Sequence, residues 1–316
     1  MNNPFPHSDS NKRYYTFDYY LRKTFGGKIA KITLDGGFTC PNRDGTRGVG
    51  GCSFCSGRGS GDFCAGTSLS IAEQFAAQRE MMRKKWENAR FLAYFQAYTN
   101  TYAPLPRLRR LYEEALRQPE VVGLNIATRA DCLEDDVVKY LRELSARTAL
   151  TVELGLQSVH DATAQRINRG HDYAEFLRGY EKLRGLDVCI HIINGLPGED
   201  HDMMLETAAE VARLHPKFLK IHLLHVIKDT ALARQYEAGE FDAMTREEYV
   251  KTVCDQLEIL PPDTVLGRVT GDGAADSLIA PLWSKKKLVV MNEIDKELVK
   301  RGSYQGICYN CTKIDR

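Results

Sequence analysis

Three cysteines gather early in the chain: Cys40, Cys52 and Cys55, in the run Cys-Pro-Asn-Arg-Asp-Gly-Thr-Arg-Gly-Val-Gly-Gly-Cys-Ser-Phe-Cys. Thiolates are soft ligands, and three of them on one flexible loop can converge on a metal centre. A structural Zn²⁺ or a complete [4Fe–4S] cluster normally takes four protein ligands. Three therefore suggest a [4Fe–4S] cluster with one iron left open, where substrate chemistry could happen. Cys64 offers the alternative, as the fourth sulfur of a structural zinc site with Cys40, Cys52 and Cys55. The glycines at 45, 48, 50, 51, 57, 59 and 61 weigh toward the cluster, because they let backbone approach a bulky group closely.

Other candidates are more scattered. His222 and His225 end a β-rich run, where a histidine can face a substrate or donate a proton, although buried hydrogen-bonded histidines are common. Cys132 follows Thr128-Arg129-Ala130-Asp131 and is a candidate reactive thiol, while Cys189 and Cys254 read as small core residues. Cys308 and Cys311 form a second C-x-x-C pair; two thiolates alone make a poor metal site. The basic runs Arg83-Lys84-Lys85, Arg107 with Arg109-Arg110, and Lys285-Lys286-Lys287 could meet phosphates, but such runs are usually solvated helix faces. Tyr14, Tyr15, Tyr19 and Tyr20 could stack on bases or form one side of an amphipathic helix at the end of a barrel.

The elements that must position these residues alternate. Short apolar runs at 29–34, 91–95, 121–127, 150–154, 188–193, 219–224 and, less clearly, 265–269 are expected as buried parallel strands. Between them the spacing predicts helices over 71–86, 108–118, 137–146, 173–184, 203–214 and 247–260, with Asp172, Asp202 and Thr245 as N-caps. Alternating strands and helices without an internal Pro, Gly or Ser-rich break imply one parallel α/β sheet, open or barrel-like. In both forms the loops after the carboxyl ends of the strands build the site. The cysteine loop follows the first strand.

Composition sets the outer bounds. The chain of 316 residues is 43% hydrophobic and 27% charged, as a globular protein is. Its 43 Lys+Arg against 42 Asp+Glu create no global field for a polyanion, so any nucleic-acid contact must be a local patch. No apolar run reaches the roughly 18–20 residues that cross a bilayer, and the polar start with Pro4 and Pro6 is unlike a signal peptide. A cytoplasmic protein without membrane contact is expected. In that reducing compartment nine cysteines, an odd number, read as ligands or buried thiols rather than disulfides.

The triad resembles the radical S-adenosylmethionine (SAM) signature with its first spacing lengthened from three residues to eleven, and Phe54 sits where that superfamily carries an aromatic. Further matches follow in chain order: Thr128 to Asp131, similar to a segment of the elongator catalytic-subunit group; Glu153 to Ser158; Ile167 to His171; and His191 to Glu199, which resembles the adenine-contacting strand motif. The resemblance implies a partial (β/α)6 TIM-like barrel, with or without an added seventh strand. It implies a [4Fe–4S] cluster on Cys40, Cys52 and Cys55, and SAM bound to the open iron. Reductive cleavage of SAM would give a 5′-deoxyadenosyl radical, fed by a low-potential electron donor.

By the same resemblance, Gln157 and Arg169 would bind the SAM ribose and carboxylate, which suits a neutral amide and a guanidinium fork. His191 replaces the aspartate of the coproporphyrinogen dehydrogenase group. The usual Gly-Gly-Glu segment after strand two is absent; Gln96 to Tyr102 stands there, with Thr99 and Asn100 assigned to the SAM amino group and Thr128 placed near the cofactor. A narrower resemblance, to the YhcC/YtqA-like radical SAM proteins, rests on Cys40 to Thr46, Gly61-Asp62-Phe63, Lys220-Ile-His222 with His225, and Arg268 to Gly273 followed by Ala280 to Trp283. It implies a tRNA wobble uridine as substrate, carboxymethylaminomethyl being converted to aminomethyl. A small-molecule substrate would leave the same cluster and SAM residues. The expected organisation is a helical segment over 1–27, the barrel over 28–240, and an extension over 241–316 that closes it; the oligomeric state is left open.

Overall fold

Strands covered on both faces need nearly continuous apolar runs, and each such run forms a strand within three residues of the expected ends. The computed structural model describes residues 3–59, 61, 64, 66–271, 273 and 276–309, so Asp62, Phe63, Asp272 and Cys311 lie outside the described residues. The strands are β1 Ile29–Leu34, β2 Arg90–Phe95, β3 Val121–Thr128, β4 Ala149–Gln157, β5 Asp187–Asn194, β6 Phe218–Leu223, β7 Val226–Ile227, β8 Val265–Arg268 and β9 Leu278–Ala280. The helices are α1 Phe17–Phe25, α2 Ile71–Lys85, α3 Leu105–Leu116, α4 Asp135–Ser145, α5 Asp161–Arg166, α6 Tyr173–Lys182, α7 His201–Leu214, α8 Ala231–Glu237, α9 Arg246–Ile259 and α10 Lys287–Lys300. Seven strands form one sheet in the order β1-β2-β3-β4-β5-β6-β8. The fold is α/β, a partial (β/α)6 TIM-like barrel with the seventh strand supplied by β8.

The chain divides into two compact units. One holds Leu21–Gly155 and Gly170–Val188. Here β1 pairs with β2, β2 with β3 and β3 with β4, all parallel. Phe91, Leu124, Ile126, Val152 and Leu154 are buried, while Lys31, Asn125 and Glu153 add a polar cluster. The buried Glu153 carboxylate accepts from Lys31 Nζ at 3.0 Å and Asn125 Nδ2 at 2.8 Å, so its charge is compensated. Helix α2 starts at a capping box of Ser70 and Glu73. Its Gln74 and Gln78 are buried against the end of β1: Gln74 bonds the Asp35 N–H at 2.9 Å and the Asp35 carbonyl at 3.0 Å. The root of the cysteine loop is thereby fixed.

The other unit holds Met1–Tyr20, Leu156–Arg169 and Cys189–Arg316. In it β6 is parallel to both β5 and β8, and β7 and β9 form a small antiparallel pair. Of the early tyrosines, Tyr14 and Tyr15 precede the helix rather than lie on it. Tyr15, Phe17 and Tyr20 pack on Cys189, Phe218 and Val265, with the Tyr20 and Phe218 rings edge-on at 5.1 Å. These aromatics are occupied by packing. Helix α7 is capped by Asp200, whose side chain accepts from the Met203 N–H at 2.9 Å, and not by Asp202, which falls inside the helix. Asp172 and Thr245 cap α6 and α9 as expected.

Candidate active site

Cys40 opens a turn at the start of the cysteine loop, its carbonyl accepting from the N–H groups of Arg43 at 2.8 Å and Asp44 at 3.2 Å. The chain doubles back through Arg47 and Gly48, both bonded to the Pro41 carbonyl, and through Gly51, bonded to Asn42 at 2.8 Å. A second turn closes Cys52 to Cys55, from the Cys55 N–H to the Cys52 carbonyl at 3.0 Å. The eleven residues between Cys40 and Cys52 are thus a folded excursion that brings the chain back toward its start. The three sulfur-bearing residues are partly exposed, and Phe54 beside them is half-buried.

Guanidinium groups fasten this loop. Arg43 donates to the carbonyls of Cys55 at 3.1 Å and Ser56 at 2.5 Å, tying the Cys40 turn to the Cys52–Cys55 turn. Arg107 donates to Gly36 and Gly37 at 3.0 and 2.7 Å, and Arg58 to Cys64 at 3.1 Å. Asn42 is fully buried and directs its amide N–H to the Cys52 sulfur at 3.8 Å. Asn42 and Arg43 lie in the shared Cys40 to Thr46 segment, but no role was assigned to either from the sequence.

Behind the loop, at the end of β3, the Arg129 guanidinium forks onto the Asp131 carboxylate at 2.8 Å on both arms, and both side chains are buried. Burial works against the Arg129 charge, yet the Asp131 bonds and charge hold its pKa above the ordinary value, and the nearby Cys52 and Cys40 sulfurs push it the same way. A permanent cation therefore lies within electrostatic reach of two of the three thiols. Cys132 is different: burial first, then the Asp131 charge, raises its pKa and keeps the thiol protonated. That environment does not suit a reactive thiolate.

The residues expected to hold SAM fall in both units. With the cysteines are Thr99, Asn100 and Thr128, all buried. The Thr99 N–H reaches the Thr39 carbonyl, next to Cys40, at 3.3 Å. Asn100 spends its amide N–H on the Ala127 carbonyl at 2.8 Å, leaving Oδ1 buried and without a partner among the described residues. Thr128 shares its hydroxyl with Thr101 at 2.5 Å. The unpartnered Asn100 oxygen is an acceptor waiting for a donor, as an amino group would supply. In the other unit, Gln157 ends β4 at a φ of +73°, a strained conformation for a residue with a side chain. Arg169 is buried. His191 on β5 and His222 on β6 have ring centres 5.2 Å apart, and His225 lies against Gly271 and Gly273.

The spacing of the sulfurs bears on the choice between cluster and zinc. A single tetrahedral Zn²⁺, about 2.3 Å from each sulfur, would draw the sulfurs to about 3.8 Å from one another. Among the described residues no three of Cys40, Cys52, Cys55 and Cys64 have sulfurs within 4.8 Å of each other. Cys64 is also buried, its thiol pushed up to about 11 by burial and then by the Asp35 charge. A cluster binds each sulfur to a different iron and spreads them wider than a single zinc does, which suits three partly exposed cysteines on one loop with Cys64 buried apart from them.

Comparison with known proteins bears on the whole chain. The sequence model of the radical SAM superfamily matches residues 40–211, beginning at Cys40, and that of the radical SAM C-terminal domain matches 216–300. The uncharacterized protein YtqA of Bacillus subtilis is 53% identical over 97% of this chain and 96% of its own length. A tRNA uridine(34) acetyltransferase of Methanocaldococcus jannaschii is 27% identical over 61% of this chain and 35% of its own. Among solved structures, the archaeal Elp3 of Methanocaldococcus infernus, lacking its N-terminus, has the same fold, with a TM-score of 0.67 at 20% identity over 91% of this chain and 68% of its own. With the superfamily model covering more than half of its length and a near full-length relative at 53% identity, the chain belongs to the radical SAM superfamily, in the YhcC/YtqA-like family related to Elp3.

Proposed function

We propose that Cys40, Cys52 and Cys55 hold a [4Fe–4S] cluster whose open iron takes SAM, and that the enzyme modifies a tRNA wobble uridine. The observation that carries the first part is the folded loop itself: three thiols on two closed turns, joined by Arg43 and backed by the charged Arg129. When bound, cluster and SAM together supply hydrogen-atom abstraction from an unactivated C–H bond. The chain's own residues bind and orient. In the unit that carries the cysteines, Asn100 Oδ1 would accept from the amino group of SAM, with Phe54, Thr99 and Thr128 as further cofactor residues; in the other unit, Arg169 would supply a fork for its carboxylate, and Gln157 and His191 would serve the nucleoside. His222 and His225 are the groups to move a proton to or from substrate. Cys132 is not proposed for chemistry, because its thiol is kept protonated.

The tRNA substrate is supported by the relative named as acting on tRNA uridine 34 and by the fold shared with Elp3. The test is to incubate the reduced protein with SAM and bulk tRNA and compare nucleosides by mass spectrometry. Conversion of a carboxymethylaminomethyl to an aminomethyl wobble uridine is expected. Deoxyadenosine formed over an unchanged nucleoside profile rejects the tRNA substrate while keeping the chemistry.

A further inference from the structure

The motif around the first cysteine contains a group that touches the cluster's ligand set without being a ligand. Asn42 is fully buried in the cysteine loop, and its side chain lies between two glycines. A Cβ added at Gly48 would stand 2.3 Å from Asn42 Oδ1, and one at Gly170, where φ is +80°, would stand 2.4 Å from it. Either contact is too short for real atoms, so both glycines leave the space that the amide fills. The amide is packed close to both glycines, and its N–H is directed toward Cys52 Sγ at 3.8 Å. A thiolate sulfur accepts such a bond, and an amide oxygen in the same place would face it with like charge.

We propose that Asn42 is a positioning residue that sets the reduction potential of the cluster through its N–H bond to the Cys52 sulfur. This rests on the cluster reading above. Hydrogen bonds to the sulfurs are one of the protein's levers on Fe–S potentials. A donor withdraws electron density from the thiolate, stabilises the reduced and more negative cluster, and moves the potential to a less negative value. The first turn of the loop thereby does two things: it returns the chain to Cys52, and it eases acceptance of an electron from a weak donor.

The protein reconstituted with iron and sulfide is titrated with dithionite, the reduced cluster being followed by electron paramagnetic resonance. Asn42→Leu keeps the shape and removes the donor; Gly48→Ala leaves Asn42 in place but pushes its amide aside. Both are expected to hold native amounts of iron and to titrate at a more negative potential than wild type. Iron-replete variants with an unmoved potential overturn the proposal, because a role limited to folding the loop would not shift the couple. Should the variants fail to hold iron, the wild type decides: protein labelled with ¹⁵N-asparagine must show a nitrogen coupling to the reduced cluster, and its absence overturns the proposal. A wild type that takes up no iron defeats the cluster reading itself, and is thus told apart from a failure of Asn42 alone.

Discussion

Each side chain around the cysteine loop does its work through a definite partner, so each can be removed with a definite consequence. Cys55→Ala should abolish the brown chromophore and most of the iron on anaerobic reconstitution, whereas Cys64→Ala should leave both intact, as measured by iron analysis and absorbance. Arg129→Ala removes the bidentate guanidinium from the buried Asp131 carboxylate, whose ion-pair distance to the half-exposed Arg47 is 3.7 Å. A loss of about 3–5 kcal/mol in urea unfolding is expected, the usual cost of orphaning one half of a buried pair. The cysteines were legible in the sequence because few residue types make metal ligands and their spacing is short. Asn42, Arg43, Arg129 and Asp131 stood within the matched segments Cys40 to Thr46 and Thr128 to Asp131, but their contacts were not legible, because asparagine, arginine and aspartate are common in loops. Their roles exist only once an eleven-residue excursion has closed on itself.

At the scale of the element, the seven strands of the main sheet and helices α2, α3, α4, α6, α7 and α9 follow from apolar period, whereas α10 and the short strands β7 and β9 were not among the expected elements. Helix α7 begins one residue after Asp200, so Asp200 and not Asp202 has the extended backbone that a cap requires. Acidic residues at both positions make the two indistinguishable from spacing. The short helices α5 and α8 were missed because six or seven residues give too little period to read. Helix α6 carries an instructive glycine: a Cβ at Gly179 would lie 2.3 Å from the Ala130 carbonyl oxygen, beside the Arg129–Asp131 turn. Glycine to alanine inside a helix ordinarily stabilises by roughly 0.5–1 kcal/mol. Here Gly179→Ala should destabilise instead, by about 1–3 kcal/mol in denaturant unfolding, because the helix must move off that turn.

Helices α9 and α10 are joined by charge as well as packing. Burial opposes the Asp255 charge, but hydrogen bonds from Lys251 and Arg301, at 2.9 and 2.5 Å, lower its pKa below the ordinary 3.8. A carboxylate lowered in the folded state contributes stability above its unfolded pKa and loses it as pH falls through the folded value. Thermal melts from about pH 6 down to about pH 3 should therefore show a shallower acid-side loss for Asp255→Asn than for the wild type.

For the molecule as a whole, the α/β sheet has seven strands with the cysteine loop following β1, and a formal net charge of +1 leaves any polyanion to be met by local groups. No helix among the described residues is long and apolar enough to cross a membrane. The class of fold was legible because alternating apolar runs and amphipathic helices leave few other arrangements. The substrate was not, because it is chosen by loops that carry no period. The central claim is that three thiols in the first loop prepare an iron for SAM, and the direct measurement is SAM cleavage by the anaerobically reconstituted protein under reduction. Wild type should bind about four irons and form 5′-deoxyadenosine and methionine, and Cys55→Ala should form neither. Stoichiometric zinc without iron, or 5′-deoxyadenosine formed equally by wild type and Cys55→Ala, would contradict it.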